Sequence, residues 1–122
     1  MAIVTHANVK WTWKKWQWLG LSRFFDWEND VYIVNENIPK DAEAWLEAAE
    51  YFQADPARVV VVGDSPRTDM CAGEVEFGHL FLVDDDADKW KVHTGVAVPE
   101  SVVRISSLAD LCDMGVPLKV TF

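Results

Sequence analysis

Short runs of hydrophobic residues recur along the chain and are separated by longer stretches of mixed polarity. The clearest run is Val59 to Val62, and it predicts a strand because consecutive β-branched residues favour extended backbone. A continuous apolar run is typical of a strand that is buried on both faces of a parallel sheet. Similar runs predict further strands at residues 1–4, 31–34, 79–83, 102–105 and 117–122.

Most of the intervals between these runs have apolar residues at the spacing that is typical of helices. This spacing predicts helices at about 8–19, 41–52, 67–77 and 107–114. Asn8 is expected to cap the first helix and Gly20 to end it. The alternation of strands and helices indicates an α/β layer architecture with a mostly parallel sheet. Three glutamates of the second helix are expected to form a solvated face: Glu43, Glu47 and Glu50.

The first predicted helix carries tryptophans on two faces. Val9, Trp13 and Trp16 share the face that is expected to pack on the sheet. Trp11 and Trp18 share nearly the opposite face, beside two lysines. This second pair is either covered by another part of the chain or exposed for a protein–protein contact. An amphipathic helix on a membrane surface is a weaker alternative, because the rest of the chain is acidic.

Composition narrows the class of protein. The chain has 122 residues, half of them hydrophobic, which suffices for one domain predicted to span residues 1–122. A formal charge of −9 argues against nucleic acid or an anionic membrane as a partner. No apolar run approaches the ~20 residues of a membrane span, and the N-terminus lacks the pattern of a secretory signal. Cys71 and Cys112 lack metal or redox spacing, so we expect buried free thiols in a reducing, cytoplasmic setting.

Two aspartates follow the central valine run. Gly63 ends the predicted strand, Asp64 comes directly after it, and Asp69 lies one turn of chain further on. Ligands of open α/β sheets bind beyond the carboxyl ends of the strands, and Mg²⁺ takes one or two carboxylates together with water or phosphate oxygens. The pair therefore predicts a Mg²⁺ site, with turn and cap roles as the alternative. A second acidic run, at 84–88, is expected to be a solvated loop.

Three segments resemble, in order, motifs of the haloacid dehalogenase-like hydrolases. A strand that ends in Thr with Asn beyond it occupies residues 2–8, Pro-Lys-Asp at the start of a helix occupies 39–41, and strand-Gly-Asp-Ser followed by Asp occupies 59–69. Residues 104–111 are similar to the last strand and helix of that family. The resemblance implies a three-layer, Rossmann-like, mostly parallel sheet with helices on both faces.

The resemblance also implies roles for individual residues. Thr5 would hydrogen-bond a phosphoryl oxygen of a phosphorylated small molecule, with Asn8 as a further candidate. Lys40 would neutralise charge on that phosphoryl group. On the metal side, the implied residues are Asp64 and Asp69, which would hold Mg²⁺ or support its site, and Ser65, which would help to bind the cofactor.

The family's first motif, Asp-x-Asp after a central strand, is not found where the resemblance requires it, which is before Met1. That motif supplies the nucleophile of the covalent route. We therefore expect a truncated domain without phosphatase activity of its own, which acts in binding or assembly and keeps a residual Mg²⁺ and phosphate site. Alternatives are a Mg²⁺-dependent phosphohydrolase that a partner chain or an upstream segment completes, and hydrolysis by a metal-bound water at Asp64 and Asp69.

The missing strand would lie at the centre of the sheet, between the strands at 2–5 and 59–62. Buried backbone groups at that position must be paired. The gap is closed by direct pairing of those two strands, by the C-terminal strand at 117–122, or by a strand from another chain, and we expect one of the first two. A homodimer is expected to cover the remaining apolar surface, with Trp11 and Trp18 as candidate contacts.

Overall fold

The computed structural model describes residues 1–83 and 101–114, which form two compact units. The first unit covers Met1–Lys40 and the second begins at Asp41. Both combine parallel strands with helices, so the predicted α/β class is confirmed, whereas the three-layer arrangement and the single domain stay predictions. The elements are β1 (Ile3–His6), α1 (Val9–Trp18), β2 (Val31–Val34), α2 (Ala42–Tyr51), β3 (Val60–Gly63), β4 (His79–Val83), β5 (Val102–Ile105) and α3 (Ala109–Asp113).

The first unit is built on a parallel pair of strands. β1 and β2 run in register from Ile3 opposite Val31 to His6 opposite Val34. Helix α1 connects them, and it ends where Gly20 adopts the left-handed conformation, with φ of 64°. A side chain is disfavoured in that conformation, which is why glycine stands there.

The face of α1 that was expected to pack on the sheet is only partly buried. Trp16 is buried and lies 5.4 Å from the ring of Trp27, centroid to centroid. Trp13 makes an edge contact with the same Trp27 ring at 4.9 Å but stays exposed, as does Val9. The prediction was wrong for those two residues, because the segment after the helix offers aromatic cover mainly to Trp16.

In the described part of the second unit, three parallel strands form a sheet in the order β3-β4-β5. β4 is the middle strand, and Leu80, Phe81 and Leu82 are all buried. The strand buried on both faces is therefore β4, and the prediction that gave this role to the valine run was wrong. Val61 is buried, but the remaining valines of that run are only half-buried, because β3 stands at an end of the strand order.

Helix α2 buries a narrow face made mostly of alanine. Asp41 caps it by accepting a hydrogen bond from the Ala44 amide at 3.0 Å. Ala44, Trp45, Ala48 and Ala49 are buried. The acidic face predicted for this helix is exposed as expected, at Glu43, Glu47 and Glu50.

The prediction of an α-helix at 67–77 was wrong. That segment forms turns and a short 3₁₀ helix, Met70–Glu74. The amides of Asp69 and Met70 both donate to the Ser65 carbonyl, which commits the start of the segment to a tight turn. Gly73 further weakens an α-helix, and its backbone packs so closely on β4 that an added Cβ would lie 2.8 Å from Leu80 Cδ1.

The described residues place β1 in a two-stranded sheet and β3 in a three-stranded one. How the gap left by the missing strand is closed stays a prediction. The predicted strand at 117–122 and the acidic run at 84–88 lie outside the described residues.

Both cysteines are free thiols, as predicted, but neither is fully buried: Cys71 is half-buried and Cys112 is exposed. Burial was wrongly expected from their apolar neighbours in the sequence. Cys71 lies in the short 3₁₀ helix, and α3 turns Leu111 rather than Cys112 into the core. Within residues 1–83 and 101–114, no helix has the length and apolar character to cross a bilayer.

Candidate functional site

The carboxyl end of β3 presents the first group of predicted site residues. Gly63 is the last residue of the strand, and Asp64 follows it with an exposed side chain. Asp69 closes the loop and is buried, with 7% of its surface accessible. The structure therefore places the two aspartates of the motif at 59–69 on one short loop, in different environments.

Asp69 holds this loop, residues 64–69, in a closed shape. Its Oδ2 accepts a hydrogen bond from the Ser65 amide at 3.0 Å, and its own amide donates to the Ser65 carbonyl at 3.0 Å. The Thr68 amide donates to Ser65 Oγ at 3.3 Å. These bonds fix the backbone directly after Asp64, so the exposed carboxylate is carried on a rigid support.

The Asp69 side chain also packs against the end of β3. A Cβ added to Gly63 would overlap the Asp69 carboxyl group, including Oδ2. A glycine is needed because the carboxylate occupies the space that any side chain would fill. The Gly-Asp pair of the motif thus has a packing reason in this chain, in addition to its resemblance.

A tryptophan from α2 braces the same loop, and sequence reasoning missed this role. Trp45 Nε1 donates to the Thr68 carbonyl at 2.7 Å, and Cys71 Sγ donates to the same carbonyl at 3.4 Å. Trp45 also makes an edge contact with Phe77 at 6.4 Å. Trp45 is buried among alanines of α2, and a large buried ring of this kind is a signal that its indole N–H needs a polar partner.

In the first unit, Lys40 lies beside β1. Lys40 Nζ donates to the Val4 carbonyl at 3.4 Å, which brings the ammonium group beside the residue that precedes Thr5. Thr5 is half-buried within β1. The hydrogen bond thus places Lys40 beside the strand that carries Thr5, and the phosphoryl-binding roles of both residues stay predictions.

Asn8 is committed to structural hydrogen bonds. Its Oδ1 accepts from the amides of Lys10 at 3.0 Å and Trp11 at 3.4 Å, which confirms the predicted cap of α1. Its Nδ2 donates to Glu36 Oε1 at 3.1 Å. A carboxylate beside Asn8 makes this position less favourable for an anion, and the role of Asn8 in phosphoryl binding stays a prediction.

Parallel strands connected by helices, with motif residues in or directly after β1 and β3, define the class as an α/β protein. The family model of haloacid dehalogenase-like hydrolases matches residues 1–75, more than half of the chain. The chain belongs to the haloacid dehalogenase-like hydrolases, as the motifs predicted. A search among curated proteins finds no match.

Members of this family use Mg²⁺, and the β3 loop fits such an ion in part. Asp64 offers an exposed, hard oxygen donor of the kind that Mg²⁺ prefers. One oxygen of Asp69 already accepts a backbone hydrogen bond, so the geometry favours a supporting role for it. Direct binding of the metal by Asp69 and cofactor binding by Ser65 stay predictions. Among the described residues, no group of three or more metal-binding side chains is found.

Proposed function

We propose that this chain is a haloacid dehalogenase-like domain that binds Mg²⁺ and phosphate groups but does not hydrolyse phosphate esters alone. The observation that carries this proposal is the rigid loop that holds the exposed Asp64 after β3. A carboxylate that is carried on a loop ordered by such hydrogen bonds is what a metal ligand requires. Bound there, Mg²⁺ would neutralise charge on phosphoryl oxygens.

The phosphate side of the proposal rests on Lys40 and Thr5. Lys40 Nζ is held by the Val4 carbonyl, and Thr5 is the next residue of β1. Because the lysine is already ordered, less side-chain freedom remains to be lost when a ligand binds. A cation and a hydroxyl donor at a strand end are suited to phosphate oxygens. The ligand class is a phosphorylated small molecule, since the chain's formal charge of −9 disfavours nucleic acid.

Lack of activity is proposed for these 122 residues by themselves, because no Asp-x-Asp motif follows β1, β2 or β3. Without an attacking group positioned at the phosphorus, metal and cation binding stabilise the ligand but open no covalent route. The alternative function is a Mg²⁺-dependent phosphohydrolase completed by a partner chain or an upstream segment, and the family match supports it. For the compartment we propose the cytoplasm, supported by two free thiols.

Binding and turnover test this proposal separately. Titration with Mg²⁺, followed by calorimetry, is expected to show weak binding that Asp64→Asn abolishes, while the exposed control Asp113→Asn binds like the parent. Titration with inorganic phosphate is expected to lose affinity in Lys40→Met but not in the exposed control Lys10→Met. Equal Mg²⁺ binding by the parent and Asp64→Asn would overturn the metal assignment, and equal phosphate binding by Lys40→Met would overturn the phosphate assignment.

Hydrolysis of p-nitrophenyl phosphate with Mg²⁺ tests the lack of activity. We expect no turnover above that of Asp64→Asn. Turnover by the parent that disappears in Asp64→Asn would show that the domain is a working phosphatase and would refute this part of the proposal. A gain of turnover on joining an Asp-x-Asp-bearing strand to the N-terminus would assign the alternative function.

A further inference from the structure

Two exposed helix faces of this protein carry opposite charge. The basic face belongs to α1, which contains three lysines and no acidic residue. At about 100° per residue, one half of the helix circumference holds Lys10, Lys14, Trp18, Trp11, Lys15 and Leu19, all exposed.

Large apolar area accompanies the charge on this basic face. Trp18 is 85% exposed and Trp11 is 61% exposed. Lys14 Nζ lies 5.1 Å from the centroid of the Trp11 ring, so the cation partly covers one aromatic face. Exposed tryptophans and basic residues are the combination that interfaces favour, because aromatic rings bury much area at a small loss of side-chain entropy.

The acidic face belongs to α2 and has matching dimensions. Glu43, Glu47 and Glu50 follow one another along the helix, and two exposed hydrophobic residues, Leu46 and Tyr51, flank them on either side. Both helices are 10 residues long. An exposed face with three lysines and two tryptophans thus has a counterpart, on a helix of equal length, in a face with three glutamates, a leucine and a tyrosine.

We propose that the basic face of α1 in one copy of this chain docks on the acidic face of α2 in a second copy. Charge complementarity identifies the partner. An acidic surface with apolar residues at its margins fits the basic face, and a second copy of this chain supplies such a surface. Steering by opposite charge would bring the faces together, and the tryptophans and flanking apolar residues would provide the buried area. This inference is independent of the metal and phosphate sites.

The oligomeric state of the full chain is the first measurement. At concentrations on the order of 100 µM, well above the dissociation constant of a micromolar complex, sedimentation equilibrium is expected to show self-association. Raising the ionic strength to about 1 M, where the Debye length falls to about 3 Å, is expected to weaken it. A parent chain that stays monomeric at low salt overturns the proposal.

Charge reversal identifies the faces. The variant Lys10→Glu/Lys14→Glu/Lys15→Glu and the variant Glu43→Lys/Glu47→Lys/Glu50→Lys are each expected to raise the dissociation constant at least about tenfold. An equal mixture of the two is expected to restore association. The reversed, acidic α1 face of the first variant then meets the reversed, basic α2 face of the second, and the two unchanged faces meet each other. The matched control Arg23→Glu/Arg58→Glu/Arg67→Glu reverses three exposed cations elsewhere and is expected to associate like the parent.

Two further outcomes would contradict the pairing of these faces. Self-association that survives both reversals places the interface on another surface, and a mixture that stays monomeric shows that the faces do not meet each other.

Cosedimentation with vesicles of phosphatidylglycerol tests an anionic membrane as the alternative partner of the basic face. Lysine-dependent cosedimentation of a monomeric parent chain would assign the basic face to an anionic membrane instead. Trp18→Ala, which keeps every charge, is expected to weaken the dimer about tenfold.

Discussion

The Asp69 carboxylate occupies the space that a side chain at Gly63 would need. The last residue of β3 and the last residue of the following loop are therefore fitted to each other, and neither can be changed without consequence for the other. Because Asp69 Oδ2 also accepts the Ser65 amide, this contact links the strand end to the shape of the loop that carries Asp64.

Gly63→Ala is expected to destabilise the protein by about 2–3 kcal/mol, because the new methyl group must displace a buried carboxylate. Asp69→Ala is expected to cost about 1–3 kcal/mol through loss of the bond to the Ser65 amide. The double variant is expected to lose less than the sum, since the methyl group then enters vacated space. Urea unfolding of all four proteins measures the coupling; strict additivity would show that the two residues do not interact.

Trp45→Phe is expected to cost about 1–2 kcal/mol, because the Thr68 carbonyl loses its bond from the indole and the smaller ring leaves a gap. The effect should be largest in the loop after β3, so the amides of Ser65 and of residues 67–69 are expected to exchange faster with deuterium. Trp11→Phe is the matched control at an exposed position and is expected to change stability by less than about 0.5 kcal/mol. Unchanged exchange in Trp45→Phe would argue against the brace.

Gln53→Gly is expected to stabilise the protein by about 0.5–1 kcal/mol. Gln53 has φ of 53° directly after α2. Its amide donates to the Glu50 carbonyl, and the Ala54 amide donates to Ala49, the bonding pattern in which helices usually place glycine. Gln17→Gly, inside α1, is the opposite control and is expected to destabilise by about 1 kcal/mol. A lower midpoint of thermal unfolding for Gln53→Gly would contradict this reasoning.

Asn8→Ala is expected to destabilise by about 0.5–2 kcal/mol, because the amides of Lys10 and Trp11 lose their side-chain acceptor. Asn8→Ser keeps an acceptor and is expected to recover most of that stability. Helix content from circular dichroism and denaturant unfolding check both variants. If serine proves as harmful as alanine, the bond to Glu36 matters more than the cap.

The strands could be predicted from the sequence because each is an apolar run bounded by polar or turn residues. The run at 31–34 became β2 and the run at 79–83 became β4 with unchanged bounds. The helix at 67–77 could not be excluded by local pattern, since the competing bonds come from the tight turn at Ser65 and from packing on β4. Local propensity is overridden wherever tertiary contacts decide the backbone.

The candidate site likewise combines residues that the local sequence pattern reveals with contacts that it does not reveal. Asp64 and Asp69 were recognisable because they follow a strand in a motif of fixed spacing, and Lys40 because it opens a helix. The brace from Trp45 to Thr68 spans 23 residues, and no spacing rule reveals a hydrogen bond between distant segments. The pairing of strands into separate sheets is likewise set by packing and not by the order of elements along the chain.

Each unit of the chain contains a buried indole, Trp16 in the first and Trp45 in the second. Indole emission shifts to longer wavelength when the ring meets water, so the two rings act as built-in optical reporters of separate regions. Comparing the melting curve of the parent with those of Trp16→Phe and Trp45→Phe isolates the signal of each ring. Coincident curves would mark one cooperative body, and staggered curves two that melt in succession.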